Sequence, residues 1–360
     1  MKPSTQPSDA TPPKRRVTLR DVAKQAGVSH ATVSMCFRNS PSIPEKRRKQ
    51  VLRVAERMGY RPDPVLSALA EYRNRNRPQP IQSALAWINH WDQPEKLRKY
   101  NEFNLYWLGA SSAAERFGYH LEEIRWTADL TAKRVEQILL TRNIRGLLIP
   151  PHATMPDWGN FDWSKFSIIR FGMSVRKPDS NLVTADQQRA VLMAFEKIKQ
   201  YGYERIGLVT GRDYDSKLGG NFIGGLAAAQ ELFDFEHTLP PLLTDMGTYL
   251  KDRTTAKRAL GQWLKKHRPD AVLTTETMVP ELIRELGYRI PEDIAVAGSS
   301  RDIPVDAGIN QNPEDIGRIA VEMLVALIKM NVCGEPSSPC RILVESCWQD
   351  GKSLPPRTSQ

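Results

Sequence analysis

Apolar side chains recur at helical spacing in three short segments of the first sixty residues. In the first segment Leu19, Val22, Ala23 and Ala26 form one stripe, which predicts a helix. A second helix is predicted over 30–37 and a third from about residue 44. Both turn apolar side chains toward the first helix: Val33, Cys36, Phe37, Val51, Val54, Ala55 and Met58. The three segments therefore predict a small helical unit with its own core.

Residues that favour helix ends lie at the boundaries of these segments. Thr18 can cap the first helix, and Asp21 suits the positive end of its dipole. Gly27 follows and can adopt a positive φ, as a tight turn requires. Ser29 can cap the second helix, and Pro44 suits the first position of the third.

The first two helices are joined by a turn of about four residues, which is the arrangement with which many proteins enter the DNA major groove. The outer face of the second helix carries His30, Ala31, Ser34, Met35 and Arg38. A plain helical hairpin with a solvated face has the same spacing, so spacing alone leaves both interpretations open.

The distribution of charge favours DNA. Residues 1–77 contain 17 Lys and Arg against 6 Asp and Glu, whereas residues 78–360 contain 34 against 35. The excess positive charge is therefore concentrated on the helical unit and its flanks, as expected of a surface that neutralises phosphates. Residues 1–16, which end in Lys14, Arg15 and Arg16, are predicted to be a disordered basic arm. This arm either touches the phosphate backbone or is a solvated tail.

From residue 81 onward, short apolar strands alternate with amphipathic helices. Strands are predicted over 84–88, 119–124, 146–149, 167–171, 205–210, 271–275 and 294–297. Helices are predicted over 105–117, 130–142, 189–200, 221–233, 254–267, 280–286 and 313–329. This alternation predicts parallel sheets with helical crossovers, so the expected fold class is α/β, preceded by a small all-α unit.

Composition and motifs exclude several classes of protein. The chain has no run of 18 apolar residues and no apolar secretion signal, so we expect a cytoplasmic protein without membrane contacts. The scattered Cys36, Cys333, Cys340 and Cys347 match no zinc template and suit a reducing compartment. The sequence has no phosphate-binding loop, HExxH motif or nucleophile elbow, so we expect neither an enzyme nor a bound metal or cofactor.

Ligands of open parallel sheets bind outside the carboxyl ends of the strands. Aromatic and polar side chains follow several predicted strands here, a combination that suits a small polar ligand such as a sugar. The candidates are His90, Trp91, His152, Arg212, Asp213, Glu276 and Ser300. Each of them also fits an ordinary loop.

The segment TLRDVAKQAGVSHATVS and a third helix ending in ERMGYRPDP resemble the DNA-binding headpiece of the LacI/GalR family of bacterial repressors, over residues 17–64. Phrases within 186–211 and 268–298 resemble the family's core, which is similar to a periplasmic sugar-binding protein with two α/β lobes. The resemblance implies DNA contacts by residues in the headpiece and in the linker that follows: Thr18, Leu19, Arg20, Ser29, His30, Ala31, Thr32, Ser34, Met35, Arg38, Asn39, Leu66 and Leu69.

The resemblance also implies a role for the linker 61–80. It matches the family's hinge helix, which folds on operator DNA, pairs with its copy in the dimer and wedges a leucine into the minor groove. Leu69 holds that position here, and the alternative is a linker whose leucine packs on the next domain. Asp63, Leu66 and Ser67 depart from the common hinge residues.

Two further departures from the family pattern affect recognition. Met35 stands where the family usually has a base-reading arginine, so a different operator sequence is expected, with Arg38 one turn on supplying charge. In the ligand site, Asn221 stands in place of the ligand-holding arginine. Glu276 and Ser300 also differ from the family, whereas Gln311 matches it. Either the effector is unusual, or the domain only dimerises.

The sequence thus predicts a transcriptional regulator, expected to be a repressor, that binds a near-palindromic operator as a homodimer and responds to a small polar, sugar-like ligand. The alternative is a small-molecule binding module or receptor of the sugar-binding-protein class without regulatory DNA binding. The predicted domains are an arm (1–16), a headpiece (17–60), a hinge (61–80) and an effector domain (81–352). The effector domain is divided into a first lobe of about 81–182 plus 306–335 and a second lobe of about 183–305 plus 336–352.

Overall fold

The structure is a computed structural model that describes residues 17–37, 43–60, 83–244 and 253–357. The chain divides into a small N-terminal unit and a large unit. The small unit is helical and the large unit is built on two parallel-rich sheets, so the predicted fold class is confirmed. Among the described residues, no helix is both long and apolar enough to cross a membrane.

Three helices form the N-terminal unit, the headpiece: α1 (Leu19–Ala26), α2 (His30–Phe37) and α3 (Glu45–Arg57). Their apolar faces meet in one core, in which Val22, Val33, Cys36 and Val51 are buried. The bounds of α2 agree with the prediction. Pro44 is the N-cap of α3, one residue before the helical position expected for it.

Local hydrogen bonds explain where the first two helices begin and end. The Thr18 hydroxyl accepts the Asp21 N–H at 3.3 Å, and the Asp21 carboxylate accepts the Thr18 N–H at 2.8 Å, a reciprocal capping box. Gly27 ends α1 with a φ of +62°, which a residue with a Cβ adopts only with strain. The Ser29 hydroxyl accepts the Thr32 N–H at 3.1 Å and so caps α2.

Two six-stranded sheets form the frame of the large unit. The first sheet has the order β11-β5-β4-β3-β1-β2, with β1 (Ser83–Asn89), β2 (Tyr119–Arg125), β3 (Gly146–Ile149), β4 (Ser167–Phe171), β5 (Asn181–Ala185) and β11 (Arg341–Val344). The second has the order β12-β10-β9-β8-β6-β7, with β6 (Ile206–Gly211), β7 (Leu242–Thr244), β8 (Ala271–Thr274), β9 (Ala295–Gly298), β10 (Gly308–Asn310) and β12 (Cys347–Gln349). The paired strands run parallel except β10 and β12, so the two sheets share one strand order and differ in the direction of one edge strand.

Helices pack on both faces of each sheet. Lobe one, the first sheet with its helices, contains α4 (Pro94–Leu97), α5 (Asn101–Arg116), α6 (Ala132–Thr141), a 3₁₀ turn (Trp163–Lys165) and α12 (Pro313–Met330). Lobe two contains α7 (Gln187–Gln200), α8 (Arg212–Lys217), α9 (Asn221–Leu232), α10 (Arg253–His267) and α11 (Val279–Glu285). In lobe one, α5 and α12 share one apolar core with the sheet, and α6 packs in the core on its other face. Lobe two has the same three layers.

Three strands lie, wholly or in part, in the other lobe from the one that the sequence predicted. β5 continues lobe one to Ala185, whereas the sequence ended that segment at residue 182. β10 pairs with β9 in lobe two, although 306–335 was expected in lobe one, and β11 pairs with β5 in lobe one, although 336–352 was expected in lobe two. These strands are three to five residues long, too short for a periodic signal, and their place is set by ladders with distant strands.

Candidate DNA-binding surface and interlobe cleft

The face of α2 that points away from the headpiece core carries the side chains predicted to read DNA bases. His30 and Ala31 are exposed, whereas Ser34 and Met35 are half-buried. Val33 lies on the opposite face, within the core. The first turn of α2 is therefore the more accessible part, as expected of a recognition helix that contacts base edges with its N-terminal residues.

Several predicted DNA-contact residues also hold the headpiece together. The Thr18 hydroxyl lies 2.7 Å from the Asp21 carboxylate, and the Ser29 and Thr32 hydroxyls lie 2.9 Å apart. Leu19 packs against the apolar core, whereas Arg20 is exposed on α1. The capping side chains thus fix where α1 and α2 begin, whereas the DNA contact of Arg20 stays a prediction.

The sequence prediction missed the exposed positive face of α3. Lys46, Lys49, Arg53 and Arg57 line a shallow depression there, beside Gln50 and Glu56. Arg47 of the same helix donates to the Gly27 carbonyl oxygen at 3.4 Å, which ties α3 to the turn before α2. The available signal was the spacing of cations three to four residues apart in KRRKQVLRVAER.

The remaining predicted DNA contacts lie outside the described residues. These are Arg38 and Asn39 after α2, and Leu66 and Leu69 in the hinge 61–80. The basic arm 1–16 lies outside them as well. Their roles stay predictions.

The lobe-one ligand candidates come together at the carboxyl ends of β1 and β3. The His90 N–H donates to His152 Nε2 at 3.1 Å, and the Trp91 indole N–H donates to the Pro151 carbonyl at 3.0 Å. His152 Nδ1 lies 2.8 Å from the Pro150 carbonyl oxygen, which requires a neutral ring protonated at Nδ1. Both ring nitrogens are therefore used within the lobe. Burial lowers the pKa of His152 to about 4.

The first lobe-two candidates follow β6, β8 and β9. Arg212 and Asp213 are exposed at the start of α8. Glu276 is half-buried after β8, its Oε1 lies 3.4 Å from the Thr275 hydroxyl, and burial raises its pKa. The Ser300 hydroxyl accepts the Asp302 N–H at 3.3 Å, within its own loop.

Asn221 and Gln311 make contacts of different kinds. The Asn221 amide donates to Gln187 Oε1 at 3.3 Å and lies 3.9 Å from the Met173 sulfur, which belongs to lobe one. Gln311 is buried, and its amide donates to the Ser299 carbonyl oxygen at 2.8 Å. The residue in the place of the family's arginine therefore lies where the lobes meet, whereas Gln311 secures a loop.

Reciprocal hydrogen bonds join the two lobes at the start of α5. The Asp302 carboxylate of lobe two accepts the Asn101 N–H at 2.7 Å and the Glu102 N–H at 3.3 Å. In return, Glu102 Oε1 accepts the Arg301 N–H at 3.0 Å. Farther along, Lys217 Nζ of lobe two donates to the Ala153 carbonyl oxygen of lobe one at 2.8 Å. Sequence reasoning missed Glu102 and Asp302, because bonded groups 200 residues apart leave no local signal.

Within the described parts of the chain, no group of three or more His, Cys, Asp or Glu side chains is arranged to hold a metal ion. Cys36 is buried in the headpiece, and Cys333, Cys340 and Cys347 are exposed thiols.

Comparison with known proteins gives one family for the headpiece and another for the second half of the chain. Residues 18–63 match the family described as bacterial regulatory proteins, lacI family, and residues 195–354 match a periplasmic binding protein-like domain. The probable HTH-type transcriptional repressor ExuR of Bacillus subtilis (strain 168) is 46% identical over 54 residues, which are 15% of this chain and 16% of ExuR. The HTH-type transcriptional regulator CelR of Thermobifida fusca is 23% identical over 347 residues, which are 92% of this chain and 97% of CelR.

Solved structures share the fold over most of the chain. A complex of the transcriptional regulator CelR with cellobiose has a TM-score of 0.56 at 22% identity and covers 94% of this chain and 100% of its own. A lac repressor dimer bound to operator and the anti-inducer ONPF has a TM-score of 0.52 at 18% identity, with 94% and 99% covered.

The helix-turn-helix headpiece and the two-lobed α/β unit together define a DNA-binding transcriptional regulator. Residues 18–63 belong to the lacI family of bacterial regulatory proteins, as the sequence resemblance predicted.

Proposed function

We propose that the protein is a cytoplasmic repressor that binds a near-palindromic operator as a homodimer. The observation that carries this proposal is the exposed first turn of α2, presented by a capped helix pair on the only part of the sequence with a large excess of positive charge. One short recognition helix reads few base pairs, so two copies related by a twofold axis read a longer site. The operator-bound dimer of the lac repressor has the same fold.

In this proposal, α2 and the hinge have different tasks. His30, Ala31 and Met35 contact base edges, and Arg20 and the exposed cations of α3 contact phosphates. The hinge 61–80 folds on the DNA and Leu69 enters the minor groove. Ser29 and Thr32 act mainly by fixing the helix, since their hydroxyls bond to each other at 2.9 Å.

The proposed role of the large unit is to bind a small polar effector between the lobes. CelR, which has the same fold, was solved as a cellobiose complex. Here Asn221 and the Glu102–Arg301 and Asp302–Asn101 bonds lie where the lobes meet, so a ligand at that place changes how the lobes are held. Binding shifts DNA affinity only if one lobe arrangement binds the ligand better than the other.

We propose no catalytic role and no resident cofactor. Asp302, Glu102 and Lys217 are each hydrogen-bonded to backbone groups of the opposite lobe. His152, a natural candidate for a general base, uses both ring nitrogens within lobe one.

Selection of bound DNA from a random pool tests this function. The full chain is expected to enrich a near-palindromic site, and a chain beginning at residue 81 is expected to enrich nothing. Equal enrichment by both chains, or by neither, would contradict the proposal. Enrichment by neither chain would favour a small-molecule binding module or receptor.

A further inference from the structure

Glu102 is the least satisfied carboxyl group at the junction of the lobes. It lies in the first turn of α5, and only 6% of the residue is exposed. Its Oε1 accepts the Arg301 N–H at 3.0 Å. Its Oε2 is buried and has no hydrogen-bond partner among the described residues. A buried acceptor without a donor destabilises the folded state, so this oxygen is a position that a ligand donor would stabilise.

The charged groups around Glu102 do not supply that donor. Arg301 and the carboxylates of Asp302 and Glu314 are close enough to act on it. The Arg301 guanidinium lies 3.4 Å from Glu314 Oε1, so it is already paired, and Asp302 is bound to N–H groups of α5. Burial is the largest cause that raises the pKa of Glu102 to about 7.

Two tyrosines lie near Glu102, one in each lobe. Glu276 follows β8 and is partly buried, and the Tyr214 hydroxyl on α8 lies within electrostatic range of both Glu102 and Glu276. Tyr106 of α5 lies beside Glu102, and its ring stacks on Phe171 at a centroid distance of 5.5 Å. The aromatic side chains Tyr106 and Tyr214 therefore lie near the Glu102 carboxyl group.

We propose that the effector of this regulator is an organic cation, such as an amino sugar or another polar amine, whose protonated amine binds Glu102 Oε2. The inference rests on the proposed effector function of the cleft. An amine supplies the donor that Oε2 lacks and neutralises a buried carboxylate, as a neutral ligand does not. Asn221, in the place of the family's arginine, provides no cation for an anionic ligand. The described residues lack a cluster for a metal ion, which favours an organic cation.

Access to Oε2 couples binding to lobe arrangement. Glu102 is only 6% exposed, and the Glu102–Arg301 and Asp302–Asn101 bonds hold the lobes together beside it, so we expect the lobes to part before an amine reaches it. An amine that pairs with the ionised carboxylate also displaces its proton. Because the pKa of Glu102 is about 7, affinity should rise with pH up to about 7 and change little above it.

Matched pairs of compounds in which protonated amines replace hydroxyl groups test the proposal on the full chain. D-glucosamine is compared with D-glucose, and putrescine with 1,4-butanediol, by calorimetric titration and by the shift in melting temperature at pH 6 and pH 8. At least one amine is expected to bind at least tenfold more tightly than its hydroxyl partner, and putrescine, which stays protonated at both pH values, about tenfold more tightly at pH 8 than at pH 6. E102Q should abolish both differences, whereas the surface variant E236Q should keep them.

Three outcomes overturn the proposal: no response to either amine, equal binding of amine and hydroxyl partners, or an amine preference that survives in E102Q. The melting temperature of E102Q without ligand, expected at or above that of wild type because a buried charge is removed, shows that the variant folds. DNA binding is measured in parallel. Specific DNA binding without an amine response overturns this inference alone, whereas absence of specific DNA binding overturns the proposed function.

Discussion

His152 is a buried residue whose two ring nitrogens both bond to backbone groups. Its ring donates through Nδ1 to the Pro150 carbonyl and accepts the His90 N–H through Nε2, and its pKa is about 4 in the folded state against 6.5 in an unperturbed histidine. The unfolded chain therefore binds a proton more readily than the folded chain. Stability from the neutral ring is complete above about pH 6.5 and is lost as the pH falls toward about 4.

The first prediction concerns this histidine. Between pH 7 and pH 4, wild type should lose about 3 kcal/mol of unfolding free energy more than H152Q, whose side chain does not titrate. Urea unfolding followed by tryptophan fluorescence measures this, because all eight tryptophans lie between residues 87 and 348. The variant H120Q, which changes an exposed histidine on β2, should lose as much unfolding free energy between pH 7 and pH 4 as wild type. If the unfolding free energy of H152Q has the same pH dependence as that of wild type, the buried neutral ring is not the cause of the loss of stability at low pH.

Residue-scale reasoning located part of the candidate sites. Thr18, Gly27 and Ser29 could be assigned because their effects are local: each bonds or turns within three residues of itself. Glu102 and Asp302 could not, because their partners come from the other lobe. His152 was selected for its position after a strand, a rule that does not reveal that both of its nitrogens are used internally.

At the scale of elements, α5 and α12 cross with their backbones almost in contact. A Cβ on Gly109 would lie 1.9 Å from the Glu314 carbonyl oxygen, and one on Gly317 would lie 2.1 Å from the Tyr106 carbonyl oxygen. Neither oxygen belongs to a flexible side chain, so the helices must separate to admit a methyl group. The crossing positions Glu102 and Tyr106 at the junction of the lobes.

The second prediction follows from this crossing. G317A should lower the free energy of unfolding by about 1–3 kcal/mol, through overpacking against backbone. G224A on α9 is the matched control: its Cβ would meet nothing closer than Gln188 Nε2 at 4.0 Å, so it should stabilise by about 0.5–1 kcal/mol. Urea unfolding compares the two, and similar effects of both variants would show that the close crossing does not matter.

The third prediction concerns the hinge. L69A should weaken operator binding several-fold and leave the dimer intact, because the leucine acts only between DNA base steps. Fluorescence anisotropy with the selected operator gives the affinity, and sedimentation gives the mass. L232A, which truncates a leucine that is 69% exposed on α9, is the control. An unchanged operator affinity of L69A would mean that Leu69 packs within the protein.

Element boundaries show why a pattern of apolar residues predicts some ends and not others. β3 and β4 were predicted at their observed bounds, since each is a buried apolar run that ends at a turn signal. α5 begins at Asn101 rather than 105, because Asp302 of the other lobe accepts the first N–H groups of the helix. β7 and β10 have three residues each, so their pairing in the sheet alone defines them.

At the scale of the whole molecule, the excess positive charge lies in residues 1–77, as DNA binding by the headpiece requires, whereas residues 78–360 are nearly neutral. The fourth prediction is a steep fall of DNA affinity with salt, since each neutralised phosphate releases counterions. R20Q should weaken binding to all DNA sequences alike and lower the magnitude of the salt slope by about 1. K265Q, which removes the same charge from the last turn of α10, should leave the DNA affinity and the salt slope unchanged. A slope that R20Q does not alter would remove Arg20 from the interface.

Selection of bound DNA by wild type and by M35R shows whether α2 reads the DNA sequence. Arginine can bond bidentately to guanine, which methionine cannot. M35R is expected to enrich a near-palindromic site that differs from the wild-type site at one position in each half, with guanine gained there. Enrichment of the same site by both proteins, at whatever affinity, would contradict the assignment of α2 as the recognition helix.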